Sequence, residues 1–424
     1  MAEHEYLSTL SRAQLAQLGR EYMLAAQFNS RTGYAALRIN HGDEAYLDTA
    51  IDNWMAVSPI YTQRMQRAMK LNTGSDIATI LKGMQLECGL SHQYFDAGFE
   101  EISESEGQFW LNRCGPLLET EPRGEEAVKT MCHAIEDPTF DATAVATNPR
   151  ARVRPVHRPP RPDGASGEHC RWRISIDAAN EPIVEPAITR VMRKTQLAGV
   201  ELTRPPSAEE GGADYYDGAV YETLDLERFS QAALVVICKE LAVQFHLLLN
   251  ALSLAVAQRY GAEAARAIAQ FQMVGSTRVI SERLSRWAGE EEAPIDSVIG
   301  VLRAHPALNP VEYIRYEIER IDDSTATITF EDCPALNDDS STGQALGWFP
   351  LLKQGVVEGL LSLVQGVNPA ARVIGDANDP LRWRIAIDES AETEDDPLSV
   401  QIAKGTVLYT TQLEDKIALL TIEA

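Results

Sequence analysis

The chain repeats two short phrases, and this repeat restricts its fold more than any other feature. RWRISID at 171–177 returns as RWRIAID at 382–388, 211 residues later, and NPRARV at 148–153 returns as NPAARV at 368–373, 220 residues later. Single residues recur at a separation of 219, namely Gly42 with Gly261, Arg64 with Arg283, Arg67 with Arg286, Glu100 with Glu319, Ile102 with Ile321 and Cys114 with Cys333. This period is too long for a solenoid. We therefore predict a tandem duplication that folds as two paired, similar domains.

The repeat also predicts the domain boundaries. A chain of 424 residues has the length of roughly two or three domains, with cores large enough to be stable without cross-links. We place a first unit at 1–204 and a second unit at 232–424. Residues 205–231 are acidic and rich in glycine, which is typical of a linker or a surface excursion.

Both units show the same order of predicted elements. Apolar residues at helical spacing predict helices at 11–28, 42–70 and 76–87, and again at 230–256, 261–288 and 295–304. Alternating runs around a polar turn then predict hairpins at 99–114 and 316–333. In the first unit another helix follows, then strands near 152–158, 170–176 and 199–203. Each unit is therefore expected to be α+β, with N-terminal helices packed on a small antiparallel sheet.

Charge and hydropathy exclude several classes of partner. The net charge of −24 repels phosphate backbones and anionic lipids, so neither nucleic acid nor a membrane surface is an expected partner. The longest apolar stretch, near 232–256, is interrupted by Lys239, Glu240 and His246, which argues against a membrane span. The N-terminus lacks the basic and apolar regions of a signal peptide, and the six cysteines show no paired short spacing. We expect a cytoplasmic protein with reduced thiols.

Cys132 is the first candidate for a reactive residue. A helix is predicted from Gly124, with Pro138 just past its last turn. Val128, Met131, Cys132 and Ile135 follow the i, i+3, i+4, i+7 pattern, which places the thiol on the apolar stripe. Two interpretations stay open. The thiol is either buried and inert, or it lines a cavity as a nucleophile.

Three histidines are candidate bases for that thiol. His133 lies about 100° round the helix from Cys132 and faces Asp137, so it is poorly placed to activate its neighbour. His157 and His169, on the two following strands, are alternative partners from across the fold. The catalytic candidates are therefore Cys132, His133, His157 and His169.

Metal and cofactor chemistry receive little support from the sequence. His169 and Cys170 are adjacent in a predicted strand and point to opposite faces, and no short Cys or His ligand spacing is present. Phosphate-binding loops, nucleophile elbows and dinucleotide fingerprints are also missing. We expect neither a metal nor a cofactor.

Arginines on the repeated strands are candidate ligand anchors. Trp172 and Ile174 share the apolar face of their strand, so Arg173 faces outward. Arg173 or Arg152 either covers its neighbours with an aliphatic stem or binds a carboxylate through its guanidinium. Asn148 opens the Asn-Pro-x-x-Arg phrase and completes the predicted substrate-binding set.

Several short motifs of this chain also occur together in a known family. They are Tyr260-Gly261-x-Glu263-Ala264, the hairpin that ends at Cys114-Gly115-Pro116, the helix that carries Cys132, Asn148-Pro149-x-x-Arg152, and Gly167-x-x-Cys170. With these motifs the chain resembles the L-2-amino-thiazoline-4-carboxylic acid hydrolase-like family, in the two-unit form found in actinobacteria. The resemblance covers most of both units. It implies an α+β fold and hydrolysis of a small carboxylate that contains a C=N or amide bond.

The two units differ at the reactive-looking positions. The second unit has apolar WFPLLKQG where Cys132-His133 would fall, so any chemistry is expected in the first unit. Two functions remain: a cofactor-independent hydrolase, or a non-catalytic protein that binds a small molecule or serves as a scaffold. The predicted helix at 343–367 is apolar around its circumference. Either the first unit or a second copy of the chain, in a homodimer, is expected to cover it.

Overall fold

A computed structural model of the chain describes residues 6–72, 74–162, 166–289, 291–338, 346–390 and 395–411. Helices and two four-stranded antiparallel sheets make up the described residues, which confirms the predicted α+β class. The first half contains helices α1 (Tyr6–Thr9), α2 (Arg12–Met69), α3 (Asp76–Gln85), α4 (Gly115–Thr120), α5 (Glu125–Lys129), α6 (Glu136–Val145), α7 (Ala187–Met192) and α8 (Gln196–Gly199). The second half contains α9 (Gln231–Ala288), α10 (Pro294–Ala304), α11 (Pro334–Asn337), α12 (Phe349–Lys353), α13 (Glu358–Gln365), α14 (Leu398–Lys404) and α15 (Val407–Thr410).

Two long helices, α2 and α9, form the centre of the protein, and each is sharply bent at a glycine. Gly42 in α2 has φ 87° and ψ 179°, and Gly261 in α9 has φ 87° and ψ 169°. Only glycine adopts this conformation without strain, which explains why the residue recurs at both bends. In α2 the two arms fold back on each other, since Asn53 donates a hydrogen bond to the Tyr34 hydroxyl over 2.9 Å. The helices predicted on either side of residue 42 are therefore the two arms of α2.

The two sheets have the same strand order. In the first half β1 (Phe95–Ser103), β2 (Glu106–Cys114), β3 (Ala151–His157) and β4 (Cys170–Ile176) are ordered β1-β2-β4-β3. In the second half β5 (Tyr316–Arg320), β6 (Thr325–Phe330), β7 (Ala371–Gly375) and β8 (Arg382–Ile387) are ordered β5-β6-β8-β7. Both predicted hairpins are present. Trp172 and Trp383 are buried on the corresponding strands β4 and β8, opposite Phe109 and Ile328.

The prediction of a strand near 199–203 is wrong. The chain there leaves α8 and runs without strand pairing. Its carbonyl groups are bonded by an arginine instead, because Arg64 donates to the carbonyls of Ala198 and Val200 over 3.0 and 2.8 Å. In the second half Arg283 likewise donates to the carbonyl of Thr411. In both halves an arginine guanidinium thus donates the hydrogen bonds that a neighbouring strand would otherwise supply to these backbone carbonyls.

Two helix predictions also need correction. The helix that begins near Gly124 does not end before Pro138, because a π-helical turn at Thr130–Ile135 leads directly into α6. Pro138 therefore lies inside a continuous helix, three residues after the π-helical turn, where the hydrogen-bond pattern changes register. In the predicted helix at 343–367, residues 343–345 lie outside the described residues. The remainder forms α12 and α13, which are separated at Gly355 with φ 84°.

Helices α2 and α9 pack along each other and bury reciprocal ion pairs between the halves. Arg64 of α2 binds Glu240 of α9 over 2.9 Å, and Arg283 of α9 binds Glu21 of α2 over 2.6 Å. Helix α13 packs on α9 of its own half, where the Ser362 hydroxyl donates to the carbonyl of Val274. The buried side chains of both halves join in one core.

Helix α9 is long and apolar enough to cross a bilayer, but its most apolar stretch is entirely buried inside the protein. The polar residues in this stretch have internal partners. Lys239 binds Glu312 over 2.6 Å, and the Gln244 side chain accepts the backbone N–H of Cys88 over 2.9 Å. This arrangement is typical of the core helix of a soluble protein.

The segment between the two halves packs closely on the first half. Tyr216, Leu224, Leu226 and Phe229 are buried. The Tyr216 hydroxyl donates to Gln85 of α3 over 2.8 Å. Residues 205–230 therefore form a strap across the first half.

Candidate functional site

Cys132 lies inside the core, in the π-helical turn, and is 2% exposed. Burial, with the Glu136 carboxyl nearby, raises the pKa of its thiol far above the ordinary value. Its neighbours Met131 and Ile135 line a cavity, but Cys132 does not. The environment is that of an inert buried thiol.

The three candidate histidines each bind a group other than Cys132. A ring nitrogen of His133 lies 2.7 Å from the carbonyl oxygen of Pro159. His157 pairs with Glu168 over 2.9 Å, and His169 accepts the backbone N–H of Cys114 over 3.1 Å. Burial lowers the pKa of His169. The structure therefore brings no candidate histidine into a hydrogen bond with the Cys132 thiol among the described residues.

The predicted substrate-binding residues bind groups of the protein itself, on or next to the first sheet. Arg152 donates to backbone carbonyls, including that of Ala151 over 2.8 Å, and Arg173 pairs with Glu106 over 2.6 Å. The Asn148 amide donates to Asp76 over 2.8 Å. None of the three lines the cavity described next.

The first half contains a partly open cavity of about 80 Å³ between the two arms of α2, the loop after α3, the start of α4 and the π-helical turn with α6. A volume of this size holds several water molecules or one small organic molecule. Aromatic rings form much of its wall, from Tyr34, Tyr46, Trp54, Tyr61, Phe95 and Phe140. Besides the tyrosines, three ionisable groups line it: Arg31, Glu87 and Glu136. Apolar walls with a few polar groups are typical of a small-molecule site.

Arg31 is the cationic group of the cavity and has few partners. Its Nε lies 3.8 Å from an oxygen of Glu119, and it makes no hydrogen bond to any residue that the structure describes. The side chain retains 15% exposure, although it lies deep within the fold. Burial alone lowers the pKa of Arg31, but Tyr94 and Glu119 outweigh this effect and raise it. The guanidinium therefore stays charged with unused N–H donors.

Glu87 and Glu136 are the carboxyl groups of the cavity. Burial raises the pKa of each to about 8, so both are mainly neutral at pH 7. Glu87 accepts a hydrogen bond from the Thr62 hydroxyl over 3.3 Å. The Glu136 carboxyl makes neither a hydrogen bond nor an ion pair with the described residues, and it belongs to the first turn of α6. At neutral pH the cavity thus presents one cation and two carboxylic acids.

The matching region of the second half does not contain these groups. At a separation of 219 residues, Asn250 and Pro306 stand where the first half has Arg31 and Glu87. At a separation of 220, Val356 stands in place of Glu136. Large rings pack there instead, with centroids 6.0 Å apart for His246 and Phe349 and 4.6 Å apart for Trp348 and Phe349.

Arg31, Glu87 and Glu136 are not among the site residues predicted from the sequence. A signal for two of them was available in the contrast between the repeats. Arg31 lies in a helix of mostly small and apolar residues, and its counterpart is neutral. The counterpart of Glu136 is apolar. A charge that is present in one half and absent at the matching position of the other favours a function of that half over a requirement of the shared strand order.

No group of three or more His, Cys, Asp and Glu side chains that could hold a metal occurs among the residues described. Comparison of the chain with protein families, with curated proteins and with solved structures finds no match. The function is therefore inferred from the cavity of the first half.

Proposed function

We propose that the first half binds a small carboxylate-bearing molecule in its cavity and hydrolyses a carbon–nitrogen bond of that molecule, either C=N or amide. The observation that carries this proposal is Arg31, a charged guanidinium that lines an aromatic cavity and, beyond its loose pairing with Glu119, makes no hydrogen bond to the described residues. A carboxylate would take two parallel N–H donors of such a group. The neutral acids Glu87 and Glu136 would not repel it.

A binding protein without turnover is the second candidate function. It is favoured by the separation of Cys132 from the candidate histidines, because the thiol chemistry expected from the sequence is not assembled. The same cavity and the same Arg31 anchor serve both candidates. Neither candidate uses a metal or a cofactor.

The tandem duplication is also a proposal. It is supported by the equal strand order of the two sheets and by the bends at Gly42 and Gly261. The ion pairs Arg64–Glu240 and Arg283–Glu21 also support it, because adding 219 to the residue numbers of Arg64 and Glu21 gives Arg283 and Glu240. In this proposal the second unit has become a packing partner. The resemblance to the thiazoline carboxylate hydrolases and a cytoplasmic location remain predictions.

Calorimetric titration with thiazole-4-carboxylate, a stable planar carboxylate, tests the binding step. Arg31→Lys keeps the charge but loses the two-pronged geometry, so affinity should fall about 10- to 100-fold. Arg173→Lys makes the same chemical change on the outer sheet surface and should leave affinity unchanged. If Arg173→Lys weakens binding and Arg31→Lys does not, the site lies at the position predicted from sequence and this proposal is wrong.

A further inference from the structure

Among the three ionisable groups Arg31, Glu87 and Glu136 of the cavity, Glu136 differs in that its carboxyl has no partner among the described residues. Glu87 is bonded by Thr62, and Arg31 is paired with Glu119. Glu136 lines the cavity with no hydrogen bond or ion pair to the residues described. A half-buried carboxyl that lines a cavity, and whose pKa is raised by burial, is typical of a functional site.

The backbone around Glu136 supports the same conclusion. The π-helical turn at Thr130–Ile135 ends immediately before this residue. A π-helical turn is rare, costs stability relative to an α-helix and often marks a functional site. Here it directs Met131 and Ile135 to the cavity on one side of Glu136, while Thr139 and Phe140 line the cavity on the other. In the second half, where Val356 replaces Glu136, the chain instead breaks at Gly355 between two short helices.

We infer that Glu136 is the proton-transfer group of the cavity, and that it adds water across the C=N or amide bond of a carboxylate held by Arg31, without participation of a thiol. This inference rests on the proposed function. Because Glu136 is a neutral acid at pH 7, its hydroxyl oxygen can donate a proton while its carbonyl oxygen accepts one. Cys132, which is buried outside the cavity lining, has no contact with a molecule bound there.

For a C=N bond, the reaction begins with the addition of water. The oxygen of a water molecule forms a bond to the carbon, and the π electron pair moves to the nitrogen. The hydroxyl of the Glu136 carboxyl gives its proton to that nitrogen, while its other oxygen takes a proton from the water. Glu136 is a neutral acid again at the end. The addition product then loses the proton of its new hydroxyl group, and a proton is transferred to its nitrogen. These two transfers break the remaining C–N bond and leave a carbonyl group and an amine.

The test separates binding from turnover on the full-length chain. Binding is measured by calorimetry with thiazole-4-carboxylate, which has no hydrolysable amidine. Turnover is measured by NMR with L-2-amino-thiazoline-4-carboxylate, the compound for which the resembled family is named. Glu136→Gln should bind thiazole-4-carboxylate within a few-fold of the unmodified protein and should lower kcat by about 100-fold or more, with little change in KM. Cys132→Ala removes the thiol and should leave kcat within a few-fold.

The possible outcomes distinguish failure of ligand binding from failure of proton transfer by Glu136. If the unmodified protein does not bind thiazole-4-carboxylate, the proposed function fails. If it binds thiazole-4-carboxylate but does not turn over the thiazoline, or if Glu136→Gln keeps full kcat, the inference about Glu136 is overturned while the binding function stands. Loss of kcat in Cys132→Ala at unchanged unfolding free energy would restore the thiol as the reactive group. A circular dichroism melt of each variant separates loss of function from loss of fold.

Discussion

The guanidinium of Arg283 forms two hydrogen bonds to the carboxylate of Glu21 in the other half of the protein, with Nε–Oε2 and Nη2–Oε1 distances of 2.6 and 2.7 Å. The pair is almost fully buried, at 4% and 2% exposure. Arg64 and Glu240 form the reciprocal pair, also buried. An arginine from each half therefore neutralises a carboxylate of the other, which ties the halves together at two symmetric points.

Removal of one partner from this pair should be costly. Glu21→Gln leaves Arg283 buried without its counter-charge, so we expect the free energy of unfolding in urea to fall by about 3–5 kcal/mol. Asp296→Asn, which breaks the exposed pair of Asp296 with Arg320, should change it by less than about 1 kcal/mol. Equal losses in the two variants would show that burial does not govern these pairs.

The two halves should remain associated after the connecting segment is cut. A protease site inserted at Gly218, where the chain is exposed and a side chain would meet open space, permits cleavage without disturbing the core. Because α2 and α9 share one core, both fragments should co-elute in gel filtration. Two separate, soluble and monomeric halves would contradict this packing.

His246 should make the protein sensitive to acid. Burial lowers its pKa to about 4, whereas the unfolded residue titrates near 6.5. Between these pH values the unfolded chain binds the additional proton, so stability falls as pH falls from 6.5 to 4. Gln27 stands at the matching position of the first half and donates to the Cys88 carbonyl over 2.7 Å. His246→Gln should therefore keep a hydrogen-bond donor at this position. It should reduce the fall in the free energy of unfolding between pH 7 and pH 5 by about 2 kcal/mol. An unchanged pH dependence in urea titrations would argue against the role of His246.

Binding of a carboxylate should weaken as the pH rises through about 8. Below this value Glu87 and Glu136 are neutral, and above it they become anions beside the bound carboxylate. The like charges then repel the ligand and compete with it for Arg31. Calorimetry with thiazole-4-carboxylate from pH 6.5 to 9.5 should show the decline, and the double variant Glu87→Gln/Glu136→Gln should lack it. A decline of the same size in that variant would assign it to other groups.

The Cys132 thiol should be unreactive in the folded protein. Its burial keeps reagents away and raises its pKa, so the reactive thiolate is scarce at neutral pH. Iodoacetamide at pH 7.5 should label Cys132 only in urea, as shown by peptide mass spectrometry. Rapid labelling of the native protein that thiazole-4-carboxylate blocks would instead place the thiol at the ligand site.

The sequence by itself determined the elements whose signals are local. Alternation around a polar turn predicted both hairpins, and the repeated RWR phrase placed Trp172 and Trp383 on corresponding strands, because side-chain direction in a strand depends only on neighbouring residues. Gly42 and Gly261 recur in the sequence, but only the structure shows that each is the bend of a long helix. The end of a helix was less predictable, since Pro138 stops a regular helix but is accommodated after a π-helical turn.

Only the tertiary structure decided the composition of the site. Arg31 and Glu136 are more than a hundred residues apart, and they line one cavity because α2 folds back at Gly42 and the π-helical turn lies across its two arms. Cys132 is adjacent in sequence to Met131, which lines that cavity, yet the thiol itself is in the core. A helical stripe shows that a residue is buried, but whether it faces a cavity or a packed interior depends on the volume of side chains from elsewhere in the fold.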